Sequence, residues 1–306
     1  MTVLQTHNLT KRYKNVAAVN NVCVTVEKGD IFGLIGQNGA GKSTFMKMVT
    51  SMTQPDSGTI TLFRQSAPTK ITQARTRMGA MIETPQLFNH LTAEQNLNYY
   101  RIQRGIVERD RIATVLKIVN LTDTGDKKFK NFSLGMKQRL GLAVAMLSYP
   151  DFLIFDEPTN GLDPTGIIEM RDIIKRLNNE GITILISSHI LAELAQVANK
   201  YAIIHQGQLI KTLTQAQLND ECKRALTITL DDVAKTAVII ETKLGIRDYK
   251  QISDTEIRVN DYLDDPTELN VKLVQEGVRV ASISEVGDSL EDYYMNMIKN
   301  AERGAL

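Results

Sequence analysis

The sequence predicts an α/β protein: a mainly parallel sheet covered by helices, with an antiparallel sheet ahead of it, a helical subdomain inserted into it and a small α+β domain after it. Three observations predict this. IFGLIG at 31–36, FLIF at 152–155 and ITILIS at 182–187 are short continuous apolar runs, the pattern of strands buried on both faces. Helical stretches such as 42–52 and 165–179 alternate with them, as crossovers between parallel strands require. After about residue 220 the pattern changes to short strands and helices in the order βαββαβ. At roughly 150 residues per domain, the 306 residues suggest about two domains, placed at 1–218 and 219–306.

The elements follow in chain order. Residues 2–9 and 16–27 alternate apolar and polar positions, the period of half-buried strands, and Lys28-Gly29-Asp30 closes them with a turn. The run 31–36 feeds a Gly-rich loop and then the helical stretch 42–52. Residues 92–147 read as mostly helical, with start signals at Thr92-Ala-Glu-Gln and at Ser133, and a helical subdomain is placed at about 85–147. In the second domain, 227–231 reads as a strand, and 233–244 puts Val233, Ala237, Ile240 and Leu244 on one helical face. A hairpin over 249–252 and 255–259, a helix over 266–276 opened by Pro266, and a strand over 278–284 complete the ferredoxin-like split βαβ order. An amphipathic helix near 289–299 ends the pattern.

Composition excludes several classes. With 36 Lys+Arg against 35 Asp+Glu, net charge +1, the chain has no basic excess with which to hold nucleic acid or anionic lipid, and no nucleic-acid partner is expected. No apolar run approaches the roughly 18 residues of a membrane-spanning helix. MTVLQTHNLTKRY at the N-terminus lacks the apolar core of a signal peptide, so a cytoplasmic location is expected. Cys23 and Cys222 are far apart and suggest neither a disulfide framework nor a zinc site.

Gly36-Gln37-Asn38-Gly39-Ala40-Gly41-Lys42-Ser43, followed by Thr44, fits G-x-x-x-x-G-K-[ST] between a buried strand and a helix. Glycines let backbone N–H groups close around phosphates, Lys42 reaches the β- and γ-phosphates, and the Ser43 hydroxyl is a Mg²⁺ ligand. Asp156-Glu157 emerges where FLIF ends, at the carboxyl end of a buried strand. Asp156 is placed to hold Mg²⁺ through water, and Glu157 to orient or deprotonate an attacking water, a role worth about 10²–10⁴ in rate. These residues alone describe a P-loop NTPase. They leave open a kinase, a GTPase, a recombinase-like ATPase and a transporter motor.

Phe132-Ser133-Leu134-Gly135-Met136-Lys137-Gln138-Arg139 resembles the signature of ATP-binding cassette (ABC) proteins. Asn160-Gly161-Leu162-Asp163 resembles that family's D-loop, and Ser188-His189 its switch histidine; the resemblance covers about residues 2–215. It implies that Tyr13 stacks on adenine, that Gly36–Thr44 bind ATP, and that His189 contacts the γ-phosphate. Ser133, Leu134, Gly135 and Met136 would close over the ATP of a second subunit, and Asp163 would make a cross-subunit contact. Two cassettes, this chain and a second copy or homologue, would therefore meet head to tail around two ATP. The resemblance also implies ATP hydrolysis that drives a separate membrane permease, and a peripheral position at the inner face of the membrane.

The sequence departs from the family where a Gln is expected between core and helical subdomain. Residues 78–86 read MGAMIETPQ, with Glu83 at that place and Gln86 as an alternative. A carboxylate can ligate Mg²⁺ but cannot donate a hydrogen bond. Glu83 together with FSLGMKQR resembles the ATPase subunits of bacitracin and lantibiotic self-protection exporters, which implies a membrane-active peptide as cargo. A motor for drug, lipid or polysaccharide export is the alternative, and a non-transport ABC ATPase a further one. The resemblance also directs residues 80–100, with Phe88, Tyr99 and Tyr100, toward the permease. The second domain shows no catalytic constellation, and its pairs Asp231-Asp232 and Asp264-Asp265 read as solvated element ends.

Overall fold

The computed structural model describes residues 1–83, 85–222, 225–263, 265–286 and 290–304. The chain divides into two compact units, Met1–Gln215 and Ala216–Leu306. The first unit opens with β1 (Thr2–Tyr13), β2 (Val16–Val22) and β3 (Thr25–Glu27), then β4 (Ile31–Ile35), α1 (Lys42–Val49), β5 (Ser57–Leu62), α2 (Pro68–Arg75) and β6 (Met78–Met81). Three helices follow: α3 (Ala93–Gln103), α4 (Arg111–Ile118) and α5 (Leu134–Met146). Then come β7 (Phe152–Phe155), α6 (Pro164–Asn179), β8 (Thr183–Ser188), α7 (Leu191–Ala195), β9 (Lys200–His205) and β10 (Gln208–Thr214), and the division between the units falls at the first residue of α8 (Gln215–Glu221).

The three apolar runs form the middle of one six-stranded sheet, ordered β10-β9-β4-β8-β7-β6. Strands β9, β4, β8, β7 and β6 pair parallel, and β10 closes one edge antiparallel. β1 is the centre of a smaller antiparallel sheet, pairing with β2, β3 and β5. A single buried cluster joins the two sheets, with Leu4 and Val26 from one, Phe32, Leu34, Phe152, Ile154, Leu185 and Ile204 from the other, and Phe45 and Met46 of α1 between them. Each such side chain contributes about 1.5–3 kcal/mol through burial.

Local chemistry sets the helix ends. Thr92 caps α3 in a reciprocal box: the Gln95 N–H donates to Thr92 Oγ1 at 3.2 Å, and the Thr92 N–H to Gln95 Oε1 at 3.0 Å. Ser133 caps α5 by accepting the Met136 N–H at 3.2 Å. At the other end of α5, Arg104 and Arg111 donate to the carbonyls of Val144 and Met146, placing two cations where unpaired carbonyls and the negative end of the helix dipole lie.

The second unit runs β11 (Ala225–Leu230), α9 (Val233–Thr242), β12 (Tyr249–Gln251), β13 (Glu256–Val259), α10 (Pro266–Gln275), β14 (Val280–Val286) and α11 (Leu290–Gly304). Its sheet is ordered β12-β13-β11-β14 with every neighbour antiparallel, the split βαβ arrangement. Leu226, Ile228, Val233, Ile240, Ile257, Leu269 and Leu273 form its core. Leu244 lies beyond the end of α9 and packs partly buried against that core. Asp232 and Asp265 are helix caps, accepting the N–H groups of Lys235 and Glu268 at 2.9 Å each, whereas Asp264 lies outside the described residues. Among the described residues, no helix is long and apolar enough to cross a membrane.

Candidate nucleotide site

β4 delivers the loop 36–41 to the carboxyl end of the parallel sheet, and α1 starts at Lys42. Only glycine fits two of its positions. A Cβ on Gly36 would lie 2.5 Å from the Ile204 carbonyl oxygen, and one on Gly41, at φ +108°, 2.3 Å from that of Ala18. The cap residue of α1 is Gly41 itself, so no side chain takes up the first-turn N–H groups. A helix start of this kind, preceded by a glycine loop, suits an anion.

Lys42 is buried, with 4% of its side chain exposed, and its Nζ donates to the carbonyls of Gly36 at 2.6 Å and Gln37 at 3.2 Å. The same ammonium pairs with Glu157 Oε1 at 3.0 Å, and Glu157 Oε2 meets His189 Nδ1 at 3.0 Å. Glu157 stands in the left-handed region at φ +47°, a conformation that costs a non-glycine residue about 1 kcal/mol or more. Its N–H donates to Ser187 Oγ at 2.9 Å, and Ser187 Oγ donates to the buried Asp156 carboxylate at 2.6 Å. One hydroxyl thus fixes both acidic residues. A step further out, Ser188 Oγ accepts the Ile190 N–H at 3.0 Å and Thr159 Oγ1 donates to Glu193 at 2.8 Å, which pins the β8–α7 turn that carries His189.

Asn38, Ser43, Glu83, Leu134, Gln138, Asp156 and Glu157 line one open cleft of about 480 Å³. Gly39, Gly41, Lys42, Ser43, Thr44 and Ala18 line an adjoining one with Glu157. The structure therefore brings the predicted loop, Asp156, Glu157 and Glu83 together. Of the two candidates in the connecting loop, Glu83 faces this cleft. Gln86 lines a different one, and its carbonyl accepts the Tyr100 hydroxyl at 3.3 Å. Ser43, Asp156 and Glu83 offer a hydroxyl and two carboxylates, hard oxygen donors that fit Mg²⁺. Among the described residues no three His, Cys, Asp or Glu side chains are grouped to hold a metal. Mg²⁺ would thus take its remaining ligands from nucleotide and water, as it commonly does.

A family model described as ABC transporter matches residues 19–160. The bacitracin transport ATP-binding protein BcrA of Bacillus licheniformis is 41% identical over 97% of this chain and 97% of its own length. The chain belongs to the ABC transporter ATP-binding family. The lantibiotic transport ATP-binding protein SrtF of Streptococcus pyogenes is 41% identical over 68% of this cassette protein and 89% of its own length. Among solved structures, an ATP-binding subunit of an ABC transporter matches 71% of this chain and 92% of its own at 28% identity and a TM-score of 0.63. A dimeric cassette in a post-hydrolysis state, bound to ADP and Pi, shares the fold at 22% identity, covering 69% of this chain and 98% of its own with a TM-score of 0.63.

Of the remaining family positions of this ABC chain, Leu134 lines the cleft with the phosphate loop, and Tyr13, Ser133, Gly135, Met136 and Asp163 line neither cleft. Ser133 and Asp163 are the caps of α5 and α6, Asp163 accepting the Gly166 N–H at 3.1 Å. Gly135 has open space above it, since a Cβ there would touch only Leu162, at 3.8 Å, and Met136 follows in the same first turn of α5. Leu134 is 41% exposed, at the rim of the cleft. Tyr13 ends β1 with 48% of its surface exposed and Lys11 Nζ 5.6 Å from its ring centroid. Sequence reasoning missed Ser187 and Lys47, and gave Gln138, which it quoted in the signature run, no role of its own. Ser187 follows the apolar run Ile184–Ile186 on β8, Lys47 stands four residues after Ser43 on α1, and Gln138 stands one helical turn after the exposed Leu134 on α5.

Proposed function

We propose that the chain is the ATPase of an exporter for a membrane-active peptide of the bacitracin or lantibiotic kind, driving a separate permease. The observation that carries the catalytic part is the contact chain Lys42–Glu157–His189 at the mouth of the glycine loop, with Asp156 and Ser43 in the same cleft. In this reading the loop 36–44 and Lys42 bind the triphosphate, and Tyr13 stacks on adenine. Glu157 takes the proton of the attacking water. His189 holds the Glu157 carboxylate and contacts the γ-phosphate. Ser43, Asp156 and Glu83 hold Mg²⁺, which when bound neutralises charge on the β- and γ-phosphates. Electrostatic stabilisation of the transferring phosphoryl then rests on Lys42 and on Ser133, Leu134, Gly135 and Met136 of a facing cassette, with Asp163 at the junction.

The peptide cargo is supported by the names of the relatives. The exposed ring cluster supports a permease contact: Phe88 and Tyr99 lie 4.6 Å apart edge to face, and Tyr99 and Tyr100 5.4 Å apart. Phe88 and Tyr99 are 36% and 45% exposed, apolar area of the kind that marks a docking surface. The test is expression together with a candidate permease in a peptide-sensitive host. Survival in bacitracin or a lantibiotic that disappears with Glu157→Gln supports the reading; survival unaltered by that change contradicts it. A host protected instead against a lipid-like drug moves the assignment to the alternative cargo class.

A further inference from the structure

Glu83 and Lys47 carry an inference about how this cassette manages a charge that the nucleotide must face. Glu83 lies on the wall shared by two clefts, one containing Ser43, Asp156 and Glu157, the other Ile82, Leu87 and Tyr100. A carboxylate at that place puts a further negative charge beside the position a triphosphate takes, and unlike an amide it has no hydrogen to donate. Lys47 answers it. On α1, Lys47 stands four residues after Ser43 and so on the same helical face, and its Nζ donates to Glu83 Oε1 at 2.5 Å. Side-chain exposures of 30% for Lys47 and 64% for Glu83 make the pair a weak stabiliser of the fold. Its effect is therefore local, on the potential inside the cleft.

We propose that in the metal-free site Glu83 and Lys47 work as one neutral unit, in which Lys47 is a positioning residue that cancels the Glu83 charge until Mg²⁺ is bound. The proposal rests on the nucleotide-site reading above. Its consequence is specific: loss of Lys47 alone leaves an uncompensated carboxylate in the cleft, whereas loss of both charges leaves the cleft balanced.

The experiment is equilibrium binding of ATP to the purified full chain by calorimetry, in EDTA and in MgCl₂, for the parent, Lys47→Met, Lys47→Arg, Glu83→Gln and the double variant Lys47→Met/Glu83→Gln. In EDTA at low salt, Lys47→Met is expected to raise the Kd for ATP about five-fold or more, a gap that shrinks as added salt shortens the Debye length. Lys47→Arg keeps the parent affinity. Placed in the Glu83→Gln background, Lys47→Met changes the Kd less than about two-fold, because the charge that it compensated is gone. An equal loss in both backgrounds, or no loss in either, overturns the proposal. Failure of the parent itself to bind ATP overturns the nucleotide-site reading instead. Thermal melting of each variant checks folding, and Lys47→Gln replaces Lys47→Met if the latter does not fold.

Discussion

Glu157 holds two partners at once, Lys42 on one oxygen and His189 on the other, while its backbone is left-handed and its N–H donates to Ser187. Ser187 is therefore the residue on which the acidic pair depends. Ser187→Ala leaves the buried Asp156 carboxylate short of one donor and frees the Glu157 backbone, at a cost of about 1–3 kcal/mol. A lower melting temperature together with reduced ATP turnover is expected, and thermal melting and a phosphate-release assay check it. Lys42→Met removes the buried cation of the loop, and ATP binding by calorimetry is expected to fall below detection. The acidic pair and the glycine loop were legible in the sequence because each is a contiguous string. Ser187 was not, because its role arises from the parallel register of β7 on β8, where Phe155 stands opposite Ile186 and so sets Asp156 beside Ser187. Lys47 escaped for the same kind of reason, since Glu83 is far from it in sequence and only the fold brings the two together.

At the scale of elements, boundaries follow local chemistry that the sequence displays. The Thr92 box, the Ser133 cap and the Pro starts of α6 and α10 are short-range, and the three apolar runs identify the buried strands. What short-range patterns do not carry is sheet order: β4 sits between β8 and β9, although both strands come more than a hundred residues later. Thr92→Ala breaks the capping box of α3 and is expected to cost about 1 kcal/mol, read as a lower denaturation midpoint. The end of the parallel sheet has its own pH signature. Tyr201 on β9 is fully buried and donates to the Ala198 carbonyl at 2.7 Å, and burial pushes its phenol up to about 12. A folded-state value above the unfolded one means that this group's contribution is intact below about pH 10 and is lost as pH rises toward 12. Tyr201→Phe is therefore expected to flatten the alkaline limb of stability over that range in urea titrations at stepped pH.

At the scale of the whole molecule, each compact unit has its own core, so the catalytic parts and the βαββαβ unit are separable. A chain ended after Gln215 is expected to fold and to bind ATP within about three-fold of the full-length protein, measured by calorimetry. The sequence made both units legible through a change in element pattern, yet it gave no role for the second, because a ferredoxin-like fold without a catalytic constellation serves many ends. The central claim is that this chain hydrolyses ATP with Glu157 as the base. Steady-state phosphate release by the purified protein with ATP and Mg²⁺, compared with Glu157→Gln, tests it most directly. The account predicts a loss of about 10² or more in turnover with ATP binding retained; equal turnover in the two proteins contradicts it.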